Sequence, residues 1–163
     1  MHEPQERHYA YETGIIGSEL LKELSGLEVM RRLLAGDLPM AAIASTLDFR
    51  LALVEPGRVV VEATPQRFVY NMFGAAHGGY AATLLDSCLG CAVCTMVPRG
   101  SGYTTVDLTI NYIRPIRTDA GLIRAEGQAL HVGRRTATAE AKLLGADGRL
   151  LAHGDTTCLV FDL

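Results

Sequence analysis

The stretch from Gly79 to Val97, GYAATLLDSCLGCAVCTMV, decides the fold. It consists almost entirely of Ala, Leu, Val, Met, Cys and Gly, with Ser and Thr as mild exceptions. A run this apolar predicts a helix that is covered on nearly every face. Asp86 stands in its middle, although an ionised carboxylate is rarely buried unless it is paired or serves a function. The same stretch therefore marks both the core and a candidate site.

The composition limits the classes of protein to consider. A length of 163 residues predicts one domain, residues 1–163, with a sizeable core. A net charge of −3 provides no basic surface for nucleic acid. The apolar run contains an acid and has no flanking belt of aromatic and basic residues, so we expect no membrane span. The polar N-terminus lacks an apolar signal core, which predicts a cytoplasmic protein.

The remaining patterns predict an α+β fold. Two short helices are expected at Ser18–Leu24 and Ser25–Gly36, the second opening with a Ser-x-x-Glu capping box, within an N-terminal extension of residues 1–46. In the core, residues 47–163, a hairpin turns at Pro56-Gly57 and four strand-like segments follow the apolar helix. About six strands with short connections favour an antiparallel sheet. Such a sheet covers the helix by curving around it.

The first segment after the helix, TTVDLTINYIRP, shows the two-residue period of a half-buried strand. Four apolar residues are expected to share one face: Val106, Leu108, Ile110 and Tyr112. Thr105 is expected on the other face with the polar residues.

Three cysteines, Cys88, Cys91 and Cys94, recur every third residue of the predicted helix. Residues three apart share a helix face, so the cysteines indicate a row of small packing side chains. A zinc site needs a fourth ligand, and Cys158 is far away in the sequence. We expect no metal and no cofactor.

His77-Gly78-Gly79 stands at the start of the helix. The first amides of a helix have no intrahelical acceptor and lie at the positive end of its dipole. Glycine has no Cβ, so a ligand carbonyl can approach the backbone closely. The residues thus fit an oxyanion hole, and they fit equally a tight turn that needs glycine.

Gly78 and Asp86 are eight residues apart, about 12 Å along one helix. One acyl group cannot touch both within a single chain, because reacting groups must approach to about 3 Å. If both serve one site, two chains contribute to it in a two-fold dimer. The alternative is an acid whose hydrogen bonds are satisfied by Ser or Thr hydroxyls.

The pattern N-x-x-G-x-x-H-G-G-x-x-x-x-L-L-D, from Asn71 to Asp86, resembles the signature of hot-dog-fold acyl-CoA thioesterases, particularly the phenylacetate-degradation (PaaI-like) branch. The similarity extends through TTVDLTINYIRP, HVGRRTATAEAKL and GDTTCLVF. It implies an antiparallel sheet around one helix and hydrolysis of an acyl-CoA, aryl-acetyl or medium-chain, to free acid and CoA. It also implies a homodimer that assembles into a homotetramer.

Five positions match catalytic ones of the family: Asn71, His77, Gly78, Asp86 and Thr105. The resemblance implies that the Gly78 amide polarises the thioester carbonyl and that Asp86 of the partner subunit acts as general base or nucleophile. Asn71 lies near the thioester or the attacking water, and Thr105 helps to hold that water, with Thr104 as an alternative. His77 is expected to orient the loop.

Two groups of residues are candidates for binding CoA phosphates: Arg114 and Arg117 around Pro115, and Gly133, Arg134 and Arg135 at a turn. Arginine pairs with phosphate through two hydrogen bonds. The resemblance favours CoA contact, first of all by Arg134, over the alternative of a solvated charged edge.

Two competing functions are considered. A hot-dog enoyl-acyl hydratase pairs its carboxylate with a nearby histidine, and no histidine follows Asp86 in the helix. A non-catalytic acyl-CoA-binding protein that acts as a sensor needs an output module, and the residues before Leu47 lack the length and basic charge of a DNA-binding domain.

Overall fold

The computed structural model describes residues 4–163, so the first three residues of the predicted extension lie outside the described part. The helices and strands are α1 (Ser18–Glu23), α2 (Gly26–Ala35), α3 (Ala42–Leu47), β1 (Phe49–Glu55), β2 (Arg58–Ala63), α4 (Gly78–Cys94), β3 (Ser101–Tyr112), β4 (Ile123–Val132), β5 (Thr136–Leu144) and β6 (Leu150–Asp162). A 3-10 turn, Arg67–Val69, precedes α4.

The six strands form one antiparallel sheet in the order β1-β2-β4-β5-β6-β3. The β1–β2 hairpin turns at Pro56-Gly57 as predicted, where Gly57 has a φ of +73° that favours glycine. β3 follows α4 in the chain but pairs with β6, so it lies at an edge of the sheet. The predicted α+β architecture is confirmed.

α4 lies across the sheet and contacts five of its strands, β2 to β6. Leu84, Leu85 and Leu89 are almost completely buried between helix and sheet. Burying one such side chain contributes roughly 1.5–3 kcal/mol. The helix is therefore the centre of the core, as the apolar stretch predicted. Within residues 4–163, no helix combines the length and apolar character that crossing a membrane requires.

α4 ends three residues earlier than the expected boundary at Val97. The Thr95 hydroxyl donates a hydrogen bond to the Ala92 carbonyl at 2.7 Å and accepts one from the Gly57 amide at 2.8 Å. These two bonds occupy the side chain that closes the helix and tie it to the β1–β2 turn.

One side of α4 is not fully covered, contrary to the expectation of burial on nearly every face. A half-buried stripe follows this side of the helix: Ala82, Thr83, Asp86, Ser87 and Cys91. The stripe lies toward β3, the edge strand, beyond which residues 4–163 form no further strand. Asp86 is therefore half-buried at a margin of the core rather than enclosed in it.

β3 contains an irregularity that the two-residue period did not predict. Val106 is skipped in the pairing with β6, between Thr105 and Asp107, as in a β-bulge. Thr105 and Tyr112 both contact α4, and Val106 is 61% exposed. The prediction that Val106 shares a face with Leu108 while Thr105 faces away was wrong. The extra residue brings the two contact residues to the same face.

The predicted capping of α2 is confirmed. The Ser25 hydroxyl accepts from the Glu28 amide, and the Glu28 carboxylate accepts from the Ser25 amide at 2.7 Å. The helix closes at Gly36 in a left-handed conformation. A Cβ on Gly26 would lie only 1.8 Å from the Cys94 carbonyl oxygen, so glycine lets α2 pack directly on the end of α4.

Candidate active site

The loop before α4 is organised around Asn71. Its Oδ1 accepts hydrogen bonds from the amides of Phe73, at 2.8 Å, and Ala75, at 3.3 Å. The Asn71 amide donates to the Ala75 carbonyl at 2.8 Å, and Gly74 takes a positive φ of 79°. These bonds fix the loop locally, while the Asn71 Nδ2 makes no hydrogen bond among residues 4–163.

His77 caps the first turn of α4. Its Nδ1 accepts a hydrogen bond from the Gly79 amide at 2.9 Å, which assigns the proton of a neutral ring to Nε2. The cap uses the Gly79 amide. The neighbouring Gly78 N–H has no hydrogen bond in the described part of the chain. A free amide at a helix N-terminus is suited to bind a developing negative charge.

Tyr112 covers Gly78 from the end of β3. Its hydroxyl donates to the Gly78 carbonyl oxygen at 3.0 Å. A Cβ on Gly78 would lie 3.3 Å from the Tyr112 ring, closer than side chains ordinarily approach. Glycine is therefore favoured here by the neighbouring tyrosine, in addition to any ligand.

A cleft of about 340 Å³ opens beside this arrangement. It lies between the Asn71 loop, the first turn of α4 and the chain that follows β3. Three residues predicted from the sequence line it together: Asn71, Gly78 and Arg114. Asp86 is not among its lining residues.

Asp86 pairs instead with Thr105 on β3. The Thr105 hydroxyl donates to Asp86 Oδ1 at 3.3 Å. The contact reaches Thr105 and not its neighbour Thr104, whose side chain lies on the other face of the strand. The candidate residues thus form two groups, one at the cleft and one two helical turns away.

The predicted arginines also fall into two groups. The Arg114 guanidinium donates to the Leu150 carbonyl at 2.7 Å and stands between the first cleft and a second one of about 410 Å³. Arg117 lines the second cleft and lies 3.8 Å from Asp119. Arg149 lines it too, and sequence analysis missed it because only the fold brings the β5–β6 turn beside the end of β3.

Arg134 and Arg135 lie at the opposite end of the sheet. The Gly133 amide donates to Thr136, and the Arg135 carbonyl accepts from Val160, which pairs with Tyr103. From Tyr103 to Tyr112 is about 30 Å along β3. Within one chain, Arg134 therefore lies far from Arg114.

The helix cysteines are poor candidates for a nucleophile. Burial raises the pKa of the Cys88 thiol to about 12 and that of Cys94 to about 11. Burial also raises the pKa of Cys91 well above its ordinary range. Because a thiolate is the reactive form, these thiols are inert near neutral pH. Of the groups on α4, Asp86 is left as the candidate base.

Known proteins are similar to this chain in sequence and in fold. The family model described as thioesterase superfamily matches residues 73–152. Human acyl-coenzyme A thioesterase 13 is 31% identical over 109 residues, which cover 66% of this chain and 76% of the human protein.

Two solved structures share the fold. A phenylacetic acid degradation-related protein of Ralstonia eutropha superposes with a TM-score of 0.72 at 26% identity, over 80% of this chain and 98% of its own. A hypothetical thioesterase protein of Streptococcus pneumoniae, solved with coenzyme A, superposes with a TM-score of 0.64 at 27% identity. The match covers 70% of this chain and 86% of that protein.

Proposed function

The chain belongs to the thioesterase superfamily and is a thioester hydrolase, and we propose that it hydrolyses acyl-CoA thioesters in a composite site of a homodimer. The acyl groups proposed are aryl-acetyl or medium-chain. The observation that carries the proposal is the Gly78 N–H at the start of α4, which has no hydrogen-bond partner among residues 4–163 and lies in a cleft shared with Asn71 and Arg114. The likeness to an acyl-coenzyme A thioesterase and to a CoA-bound structure supports it.

In the proposed reaction, the thioester carbonyl accepts the Gly78 N–H. Asp86 of the partner subunit, oriented by the Thr105 hydroxyl, takes a proton from water as the water oxygen attacks the carbonyl carbon. The Gly78 amide holds the tetrahedral oxyanion, a contribution of about 10²–10³ in rate for one such donor. Collapse of the intermediate breaks the C–S bond, and the proton held by Asp86 passes to the departing sulfur, so CoA leaves as the thiol and the carboxylate is restored. Direct attack by Asp86 as nucleophile is the alternative.

The edge strand β3 is the proposed dimer contact. A long edge strand offers unpaired amides and carbonyls to a second chain. Its exposed apolar side chains include Val106, 61% exposed, and Tyr112, 56% exposed. Two antiparallel copies of β3 would join the sheets and set the half-buried stripes of both α4 helices side by side. A homotetramer built from two such dimers, acting in the cytoplasm, completes the proposal.

The contacts of α4 with β3 support one register for the proposed pairing. Gly78 is tied to Tyr112, and Asp86 is tied to Thr105. For one site to include both, Tyr112 must stand opposite Thr105 of the partner subunit. Opposed residues of antiparallel strands share a face. Val106 is counted as the extra residue of β3. A pairing that sets Tyr112 opposite Thr105 of the partner subunit, with both on one face, then has its two-fold axis at Thr109.

A Thr109→Cys protein is therefore expected to form an intermolecular disulfide under mild oxidation, because the two copies face each other at the axis. The matched control is Asn111→Cys on the same outer face, whose copies are about 13 Å apart in this register. Disulfides need Cα atoms within roughly 7 Å. A non-reducing gel measures the cross-link. Cross-linking at 111 and not at 109 would require another register.

Release of CoA from a panel of thioesters with one CoA moiety and varied acyl groups tests the function. Phenylacetyl, hydroxylated aryl and medium-chain acyl-CoA are the informative members. A hydratase would add water to an enoyl-CoA without releasing thiol, and a sensor would bind without turnover. Either result, with no hydrolysis across the panel, would exclude the proposed reaction.

A further inference from the structure

The peptide group between Gly78 and Gly79 is held at both of its polar atoms by side chains. Its N–H, on Gly79, donates to His77 Nδ1 at 2.9 Å. Its carbonyl oxygen, on Gly78, accepts from the Tyr112 hydroxyl at 3.0 Å. His77 directly precedes α4, whereas Tyr112 ends β3 and follows Gly78 by 34 residues. Two separate parts of the chain therefore fix the first turn of the helix.

Two adjacent glycines make these hydrogen bonds important for the site. Glycine has more backbone freedom than any other residue, so a Gly-Gly pair does not fix its own peptide groups. The Gly78 N–H belongs to the preceding peptide group, which shares the Gly78 Cα with the held one. A donor stabilises a developing oxyanion only where it is positioned before the reaction. Holding the Gly78–Gly79 peptide therefore restricts the direction of the Gly78 N–H.

Tyr112 also lies between the two halves of the proposed site. It lines the first cleft together with Gly78. In the proposed register it stands opposite Thr105 of the partner subunit, and opposed residues of antiparallel strands have Cβ atoms about 4.5–5.5 Å apart. Thr105 in turn donates a hydrogen bond to Asp86 of its own chain. One tyrosine would thus contact the oxyanion donor of its own chain and the residue that orients the partner's base.

We propose that Tyr112 is a positioning residue of the hydrolase. Its hydroxyl holds the Gly78 peptide so that the Gly78 N–H points at the thioester oxygen, and its ring sets the spacing between the Gly78 half of the site and the Asp86 half. The inference rests on the proposed function and adds to its site a residue that the sequence patterns placed only on the apolar face of a strand. Tyr112 transfers no proton in this role.

Tyr112→Phe protein separates the hydroxyl from the ring. Its kcat is expected to fall about tenfold, a part of the roughly 10²–10³ that one oxyanion donor contributes, with KM for acyl-CoA unchanged. Tyr112→Ala removes the ring from the cleft as well, so kcat should fall further and KM should rise. The matched control is Tyr11→Phe, since Tyr11 is 58% exposed and Tyr112 is 56% exposed. This control should keep wild-type activity.

Hydrogen exchange of the Gly79 amide tests the contact without turnover. In protein labelled with ¹⁵N-glycine, this amide should exchange about fivefold faster in Tyr112→Phe than in the wild type, the effect of losing one hydrogen bond to the same peptide group. The Gly90 amide, in the middle of the same helix, should keep its rate because the change is local. Equal acceleration of both amides would indicate a general loss of stability and overturn the positioning role.

Mixed dimers show which half of the site Tyr112 serves. Tyr112 and Asn71 belong to the Gly78 half of one site, whose Asp86 comes from the partner subunit. Tyr112→Ala chains mixed with Asp86→Asn chains should therefore regain activity, because one of the two sites carries neither change. Mixed with Asn71→Ala chains they should regain none, because each site then carries one change. The reverse pattern would overturn the assignment of Tyr112 to the Gly78 half.

The outcomes separate this inference from the proposed function. If acyl-CoA is hydrolysed and Tyr112→Phe keeps the wild-type kcat, Tyr112 is not a positioning residue and the function stands. If the Gly79 amide exchanges faster in Tyr112→Phe but no thioester is hydrolysed, the hold on the peptide stands and the function is wrong.

Discussion

Asp86→Asn protein is expected to fold, to bind CoA and to lose thioesterase activity by a factor of about 10²–10⁴, the usual contribution of a general base. The amide keeps the volume of the carboxylate and can still hydrogen-bond the Thr105 hydroxyl, which now lies 3.3 Å from Asp86 Oδ1. Because an amide does not take a proton from water, kcat should fall while CoA affinity is retained. Single-turnover assays and calorimetry measure the two effects.

The matched control for this loss of charge is Asp155→Asn. Asp155 is exposed on β6, on the face of the sheet away from α4, and should tolerate the change with activity near that of the wild type. A folded Asp86→Asn protein with near-wild-type kcat would remove Asp86 from the mechanism. Its place in the half-buried stripe would then be explained by its hydrogen bond to Thr105 alone.

Mixed dimers are expected to restore activity that neither parent has. Asn71→Ala removes the acceptor of two loop amides and should misplace Gly78. Asp86→Asn damages the other half of the site. In a dimer of one chain of each kind, one site carries both lesions and the other carries none. Random exchange of equal amounts should therefore recover about one quarter of wild-type activity.

Exchange must be demonstrated separately, for example with differently tagged chains. Tagged mixed dimers that regain no activity would show that each site is built within one chain.

The sequence was sufficient for the features that depend on local physics. The apolar stretch placed α4, the capping box placed α2, and Pro56-Gly57 placed the first hairpin, because each signal lies within a few residues. The separation of Gly78 from Asp86 also followed from helix geometry alone. The structure then showed His77 in a backbone hydrogen bond, and the Gly78 amide without a partner in the described part of the chain.

The missed features depend on contacts between distant parts of the chain. Arg149 reaches the second cleft only because β6 runs beside β3. Neither strand periodicity nor composition carries such long-range contacts. The half-buried side of α4 did leave a signal in the sequence, because its polar residues Thr83, Asp86 and Ser87 recur at helical spacing.

The extra residue at Val106 has a consequence for how the length of this strand can change during evolution. Thr105 and Tyr112 face α4 together only because Val106 is left out of the pairing. Deleting or inserting one residue between them would turn one of the two away from the helix. Changing the length by two would keep both facing inward but shift them by about 7 Å. This segment should therefore tolerate substitution far better than any insertion or deletion.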